Sequence, residues 1–378
     1  MDKSPQFDGL RGVACLLVLI PHSRYFGFYI HEYISLGRFA QFGLFLFFFL
    51  SAYLISKSIY SDHASGNAQK WGGYVVRRVL RIVPLYYAVL VLDFLFTRFY
   101  FGDAGPHDAA SLLRHILFLE GRSALWTMPV EMSFYFLLIP LMFGMGLILR
   151  MPERQKKLGL VAAGTASLAW LAYVWLIDQT SPIATWGVHE YAPYFVFGSV
   201  WAAIQIGFAE DLDRIPRMAW NFIGLAAAAA FLIQNPLWWQ TLFPGNTWTY
   251  NPDDMEGLTF DVFLAWRKYA MVLVVLVMFL TLERPASWLK SLLSTPLLVS
   301  AGKYSFGIYL IHMPIVFLVR DHVTTIPQVG FFWIVLMTSA VAILLYNLVE
   351  RPGIRAGRFL IDRMLSRQAP LTKQQSGP

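Results

Sequence analysis

Three ionisable side chains stand inside stretches that are otherwise apolar: His22 in "RGVACLLVLIPHS", Glu131 in "LWTMPVEMSFYF" and His312 in "YSFGIYLIHMPI". An imidazole titrates near neutrality, and a carboxylate beside it can orient the ring and stabilise its charged form. That pairing would take a proton from a hydroxyl, or let a ring nitrogen attack an acyl carbon. A proline accompanies each group: Pro21 next to His22, Pro129 shortly before Glu131, Pro314 shortly after His312. Proline removes a helix hydrogen bond, and the disturbed backbone is tolerated at membrane depth where protein or a water-filled cavity satisfies it. Prolines are frequent in membrane helices generally, so the pattern gains its weight from recurring beside all three groups.

Arg11 lies upstream of His22 on the same apolar run. At roughly 100° and 1.5 Å per residue the two share a helix face, with about 16 Å of rise between them. "RRVLRIVPLYY" puts Arg78 and Arg81 on one helix face, with Arg77 adjacent. Guanidinium groups so spaced suit phosphates bidentately, and they serve equally as a cationic anchor for a membrane helix. The other histidines, His31, His63, His107, His115, His189 and His322, fall in or near loops without metal-ligand spacing. No metal site, glycine-rich phosphate loop or nucleophile elbow is expected, and any catalysis rests on His and Glu.

The elements that must position these groups are membrane helices. Of the 378 residues, 57% are hydrophobic and 14% charged, against about 25% charged in an average soluble domain. A spanning helix needs about 20 mostly apolar residues. Windows of that kind cover 11–30, 39–56, 82–100, 124–149, 159–177, 191–207, 219–235, 263–282, 304–320 and 330–349. Counted along these windows, His22, Glu131 and His312 sit at a similar depth, somewhat outward of the midplane, where they could meet in one cavity. An ionisable group there costs about 2.5–3.5 kcal/mol on insertion scales, which makes each a functional candidate.

With a cytoplasmic N-terminus, most of the 30 Lys and Arg residues fall on the cytoplasmic side, so the positive-inside rule puts both termini there. The expected fold class is an all-α polytopic membrane protein of about ten transmembrane helices. It has a membrane domain over 1–355 and a basic cytoplasmic tail over 356–378, whose polar end "QAPLTKQQSGP" is expected to be disordered. The net charge of +7 is then a topology signal with some affinity for anionic lipid headgroups, and calls for no nucleic-acid partner. Asp8 and Arg11 before the first apolar run, with no small-x-small site after it, argue against a cleaved signal peptide. Cys15 stands alone and forms no intrachain disulfide. The longest expected outer loop, 236–262, carries Trp238, Trp239, Trp248 and Tyr250 beside Asp253, Asp254, Glu256 and Asp261. It reads as an interfacial aromatic belt with solvated acids; a sugar-holding surface is the alternative.

Taken in order, these stretches resemble the membrane acyltransferase 3 family of bacterial O-acyltransferases. "FDGLRGVACLLVLIPHS" is similar to its first-helix signature, "LFFFLSAYLIS" to its second helix, and "RRVLRIVPLYY" to its arginine motif. "LWTMPVEMSFYFLLIPLM" resembles its Trp-to-Glu-to-Phe-Tyr stretch, and "YSFGIYLIHMPI" and "LVERPGIR" its last two signatures. The resemblance implies ten core helices in the bacterial inner membrane and transfer of an acyl group, commonly acetyl from acetyl-CoA. The implied acceptor is a hydroxyl of a surface or lipid-linked glycan. It puts the essential Arg and His on Arg11 and His22, the paired arginines on Arg78 and Arg81, and the acid on Glu131. Trp126 and Tyr309, within the matching stretches, are further site candidates. The sequence departs from the family at Phe45, where many members carry an acid, at Ala52, where many carry Gly, and at Met132, where many carry a second acid. No appended esterase-like domain is expected.

Together the residues and the resemblance predict a route across the membrane. Phosphates of a cytosolic acyl-CoA, a substrate rather than a resident cofactor, would rest near Arg78, Arg81 and Arg11. His22 would take the acceptor's proton while Glu131 orients the imidazole, or would itself carry the acyl group as a relay. His312 is either a third member of the site or a histidine hydrogen-bonded to a neighbouring helix. A proton-coupled transporter or flippase using His22 and Glu131 as a relay is the competing class.

Overall fold

A computed structural model describes residues 4–31, 39–61, 68–99, 106, 108–178, 188–233, 274–284 and 287–366. All regular structure among the described residues is helical. The long helices are α1 (Pro5–Tyr25), α2 (Phe39–Ser61), α3 (Ala68–Phe99), α5 (Thr127–Leu149), α6 (Glu153–Asp178), α7 (Val188–Gly207), α9 (Arg217–Ile233), α11 (Pro296–His322) and α12 (Pro327–Leu345). Shorter ones are α4 (Ala109–Ile116), α8 (Ala209–Asp213) and α10 (Trp288–Leu293), and a last helix, α13 (Arg351–Ser366), follows a π-helical turn at Tyr346–Glu350. Among the described residues, five stretches are long and apolar enough to cross a membrane: Phe42–Tyr60, Ser123–Leu149, Glu153–Val174, Pro296–His322 and Pro327–Arg363. Of the expected window 263–282 only the end is described, and 274–282 is helical. The aromatic loop 236–262 and the polar end of the tail lie outside the described residues.

Several elements differ from the hydropathy reading, α3 and α4 among them. The arginine helix α3 begins at Ala68, well before its apolar window; its first turns hold Gly72 and Gly73 and are supported by packing on α13, where Ile361 faces Gly73 and Gly357 faces Leu80. α4 was not expected, being far shorter than a span. Asp108 caps it, its side chain accepting from the Ser111 amide at 2.6 Å, which satisfies one of the free first-turn donors. The boundary expected at residue 355 falls inside α13.

Close packing of α1 on α11 positions the central groups. Gly12 faces the Leu298 carbonyl and Gly302 faces the Asp8 carbonyl so tightly that a Cβ at either would overlap backbone. Small residues let membrane helices approach to where dispersion and Cα–H contacts hold them, since lipid offers no hydrophobic drive for association. The core falls into two clusters, one around Phe7, Tyr53, Phe134, Phe195 and Phe279, the other around Tyr86, Leu125, Tyr309 and Leu310. Trp126 and Tyr135 pack against both, so the groups described next lie at the seam.

Candidate active site

His22 stands in the last turn of α1, directly after Pro21. Its Nδ1 lies 2.7 Å from the Val18 carbonyl. A carbonyl only accepts, so Nδ1 carries the proton and Nε2 presents a bare lone pair. The side chain is half-buried. His312 repeats the arrangement from α11: its Nδ1 lies 2.6 Å from the Tyr309 carbonyl, and its Nε2 is buried without a hydrogen-bond partner. The two rings meet edge-on, with centroids 5.1 Å apart and planes at 61°. Two helices that approach closely through their glycines thus bring two imidazoles together, each with Nδ1 tied to its own helix.

Glu131 belongs to a different set of partners. Its Oε1 accepts from Arg78 Nη2 at 3.3 Å, from Ser51 Oγ at 3.5 Å and from the Tyr135 hydroxyl. Arg78 also donates through Nε to the Tyr135 hydroxyl at 2.8 Å and through Nη2 to Ser51 Oγ. The expected hydrogen bond between Glu131 and His22 is not formed among the described residues. The reason is geometric: the Val18 carbonyl already holds Nδ1, and the carboxylate is claimed by a guanidinium from α3. Tyr309 links the two sets. Its ring lies 5.7 Å from that of His312, and it packs in one core cluster with Met128, Met132 and Tyr135 of α5, on either side of Glu131. Trp126, immediately before Thr127, is held by the Tyr191 ring at 4.8 Å and the Phe48 ring at 6.5 Å.

Each arginine singled out in the sequence has its own carboxylate. Arg11 Nη1 lies 2.7 Å from Asp8 Oδ1, and Arg81 Nε lies 3.2 Å from Glu350 Oε1. Arg81 is the most exposed of the three, at 32% against 17% for Arg78 and 19% for Arg11. The pairing with Glu350 is made through Nε, and the Nη groups of a guanidinium are the ones that suit a phosphate bidentately.

Phe45, standing where an acid was noted as missing, stacks on Tyr194 with centroids 4.0 Å apart and planes 12° apart. An aromatic contact therefore fills the position that a carboxylate would occupy.

Sequence reading passed over several members. Tyr135 is four residues after Glu131, and i, i+4 neighbours on a helix meet, so it was readable. Ser51 comes from α2 and carried no local signal. Glu350, 1% exposed with Oε2 unpartnered, lies in the π turn, and such turns concentrate at functional positions. Asp93 of α3 is 3% exposed with Oδ1 unpartnered; the insertion-cost rule applied to Glu131 would have found it. His115 of α4 is buried, its Nδ1 on the Ser111 carbonyl at 2.8 Å and its backbone carbonyl accepting from Tyr86 at 3.0 Å.

Among the described residues, the arrangement offers two imidazole nitrogens without a hydrogen-bond partner on one side and a sheltered carboxylate held by an arginine on the other. No solved structure matches the chain. Peptidoglycan O-acetyltransferase OatA of Listeria monocytogenes serovar 1/2a (strain ATCC BAA-679 / EGD-e) is 22% identical over 384 residues, covering 94% of this chain and 56% of that protein. O-acetyltransferase OatA of Staphylococcus aureus (strain NCTC 8325 / PS 47) is 23% identical over 386 residues, covering 94% of this chain and 58% of that protein. The chain thus spans a little over half the length of these curated relatives. A family model described as an acyltransferase domain matches residues 4–347, which takes in every group described above from Asp8 to His312, and the chain belongs to that acyltransferase family.

Proposed function

We propose that the protein is an integral membrane O-acyltransferase that moves an acyl group, acetyl in the first instance, from cytosolic acyl-CoA to a hydroxyl of a surface or lipid-linked glycan. The observation that carries this reading is the half-buried His22, with Nδ1 fixed by Val18 and Nε2 bare, on the helix whose other end holds Arg11. In this reading about ten helices cross the bacterial inner membrane, with both termini cytoplasmic. Arg81 and Arg11 take the donor's phosphates, and the pantetheine arm brings the thioester along α1 towards His22. Glu131 acts at one remove, holding the Arg78 guanidinium, Ser51 and Tyr135 as a rigid wall beside that arm. The relative named for peptidoglycan supports a glycan as the acceptor class.

The test is replacement of His22 by Ala with membrane levels confirmed. Loss of an acyl ester from the host's surface glycan, with glycan export intact, supports the reading; undiminished acylation overturns it. Thermal stabilisation by CoA, weakened in Arg81→Ala, reports donor binding separately.

A further inference from the structure

We propose that His312 is the general base of a second half-reaction, in which the acceptor hydroxyl takes the acyl group from His22. This deepens the proposed function and rests on it.

The argument starts from nitrogen bookkeeping. In the first half-reaction the His22 Nε2 lone pair attacks the thioester carbon; the C–N bond forms, the C–S bond breaks, and CoA leaves as thiolate. The acylated imidazole keeps its Nδ1 proton on the Val18 carbonyl, so both nitrogens are occupied and it bears a positive charge. It can take no further proton. The incoming hydroxyl must lose one as its oxygen attacks the acyl carbon, so a base other than His22 is required. Glu131 is engaged by Arg78, Ser51 and Tyr135.

His312 remains. Its Nδ1 proton is tied to the Tyr309 carbonyl, its Nε2 has no partner, and its ring centre is 5.1 Å from that of His22. The two rings are in contact, so an acyl group on His22 lies beside the His312 ring, and a hydroxyl that attacks its carbon can donate to His312 Nε2 at about 2.6–3.2 Å. A buried acceptor left unpaired is costly, and such orphans are retained where function uses them. In the second half-reaction the C–O bond forms, the C–N bond breaks, His22 regains its lone pair and the hydroxyl proton moves to His312 Nε2. Transfer of that proton to the CoA thiolate closes the balance: thioester and alcohol give ester and thiol.

The experiment separates the halves with radiolabelled acetyl-CoA and the purified full chain in detergent. Wild type loads label on His22 without acceptor and discharges it when an acceptor glycan is added. His312→Asn and His312→Gln load His22 and then stall, discharge falling about 10²–10⁴-fold, and free imidazole restores part of the rate. Discharge at the wild-type rate in both variants, failure of both to load, or a wild-type discharge rate that ignores pH each overturns the assignment. Wild type that acetylates acceptor without ever carrying label shows a single-step transfer and also overturns it, leaving the proposed function intact. Wild type that neither loads nor transfers from acetyl-CoA instead overturns the proposed function.

Discussion

Arg78 Nη2 lies 3.3 Å from Glu131 Oε1, and the two side chains are 17% and 16% exposed. A charge pair this sheltered is held by its partners as a unit. Removing one member leaves the other buried and uncompensated, at about 3–5 kcal/mol, whereas replacing both by groups of similar volume can be close to neutral.

The first prediction follows from that asymmetry. Arg78→Met lowers the melting temperature in detergent strongly, and Arg78→Met with Glu131→Gln recovers a substantial part of the loss. Arg78→Lys does not rescue, because an ammonium cannot span Tyr135, Ser51 and Glu131 as the guanidinium fork does. A double variant no more stable than the single one would show that the pair is not a unit.

The second concerns how α1 meets α11. Gly302 abuts the Asp8 carbonyl with no room for a Cβ. Gly302→Ala drives the helices apart at the point from which the two histidines are aligned, an overpacking cost of about 1–3 kcal/mol. Both melting temperature and acyl transfer fall together. Gly72, where a Cβ meets open space, is the control: Gly72→Ala leaves both unchanged.

Much of this frame was legible because it depends on local pattern. His22, Glu131 and His312 stood out because an ionisable group within an apolar run is costly wherever the run folds. Which of them meet is a tertiary matter. His22 pairs with His312 through helix approach at glycines far along the chain, and Glu131 pairs with Arg78 because α3 delivers a guanidinium that hydropathy treats only as an anchor. Expected depth alone placed His22 and Glu131 together, but depth says nothing of rotation about the helix axis. α4 was invisible for a different reason: it is too short for a hydropathy window, and one capping residue, Asp108, is a weak signal by itself.

Phe45 gives a third prediction. Its ring stacks on Tyr194 and meets Phe42 at 5.8 Å, so the position is built for an aromatic. Restoring the acid that many family members carry, by Phe45→Glu, puts a carboxylate among Phe42, Tyr191 and Tyr194 with no cation facing it among the described contacts. Phe45 is partly buried, so losing its ring costs less than the about 3–5 kcal/mol of a fully buried aromatic. The variant accumulates poorly and melts lower; a gain in acyl transfer would show instead that the acid is simply missing from this chain.

The last prediction is a pH dependence in the segment that leads into Trp126. Glu120 accepts from Arg114 Nε at 2.6 Å, from Arg122 Nε at 2.8 Å and from Ser111 Oγ at 3.2 Å. The hydrogen bond from Arg114, reinforced by Arg122, holds its carboxyl down at about 2. On either side, Phe118 and Ser123 have φ of 56° and 47°, a left-handed conformation that costs a non-glycine residue about 1–2 kcal/mol. The ionised carboxylate is what keeps the strained loop in place. Because the folded value lies below the ordinary one of about 4.3, this stabilisation is complete above that ordinary value. It is lost as pH falls towards 2, where the folded carboxyl takes up its proton. Amide hydrogen exchange across 117–126, corrected for intrinsic rate, therefore rises as pH drops from about 4 towards 2. Glu120→Gln, which cannot ionise, shows the faster exchange already at neutral pH and no further change on acidification. Equal protection in wild type and Glu120→Gln at neutral pH would mean that Phe118, stacked on Tyr86 at 5.2 Å, holds the loop without the carboxylate.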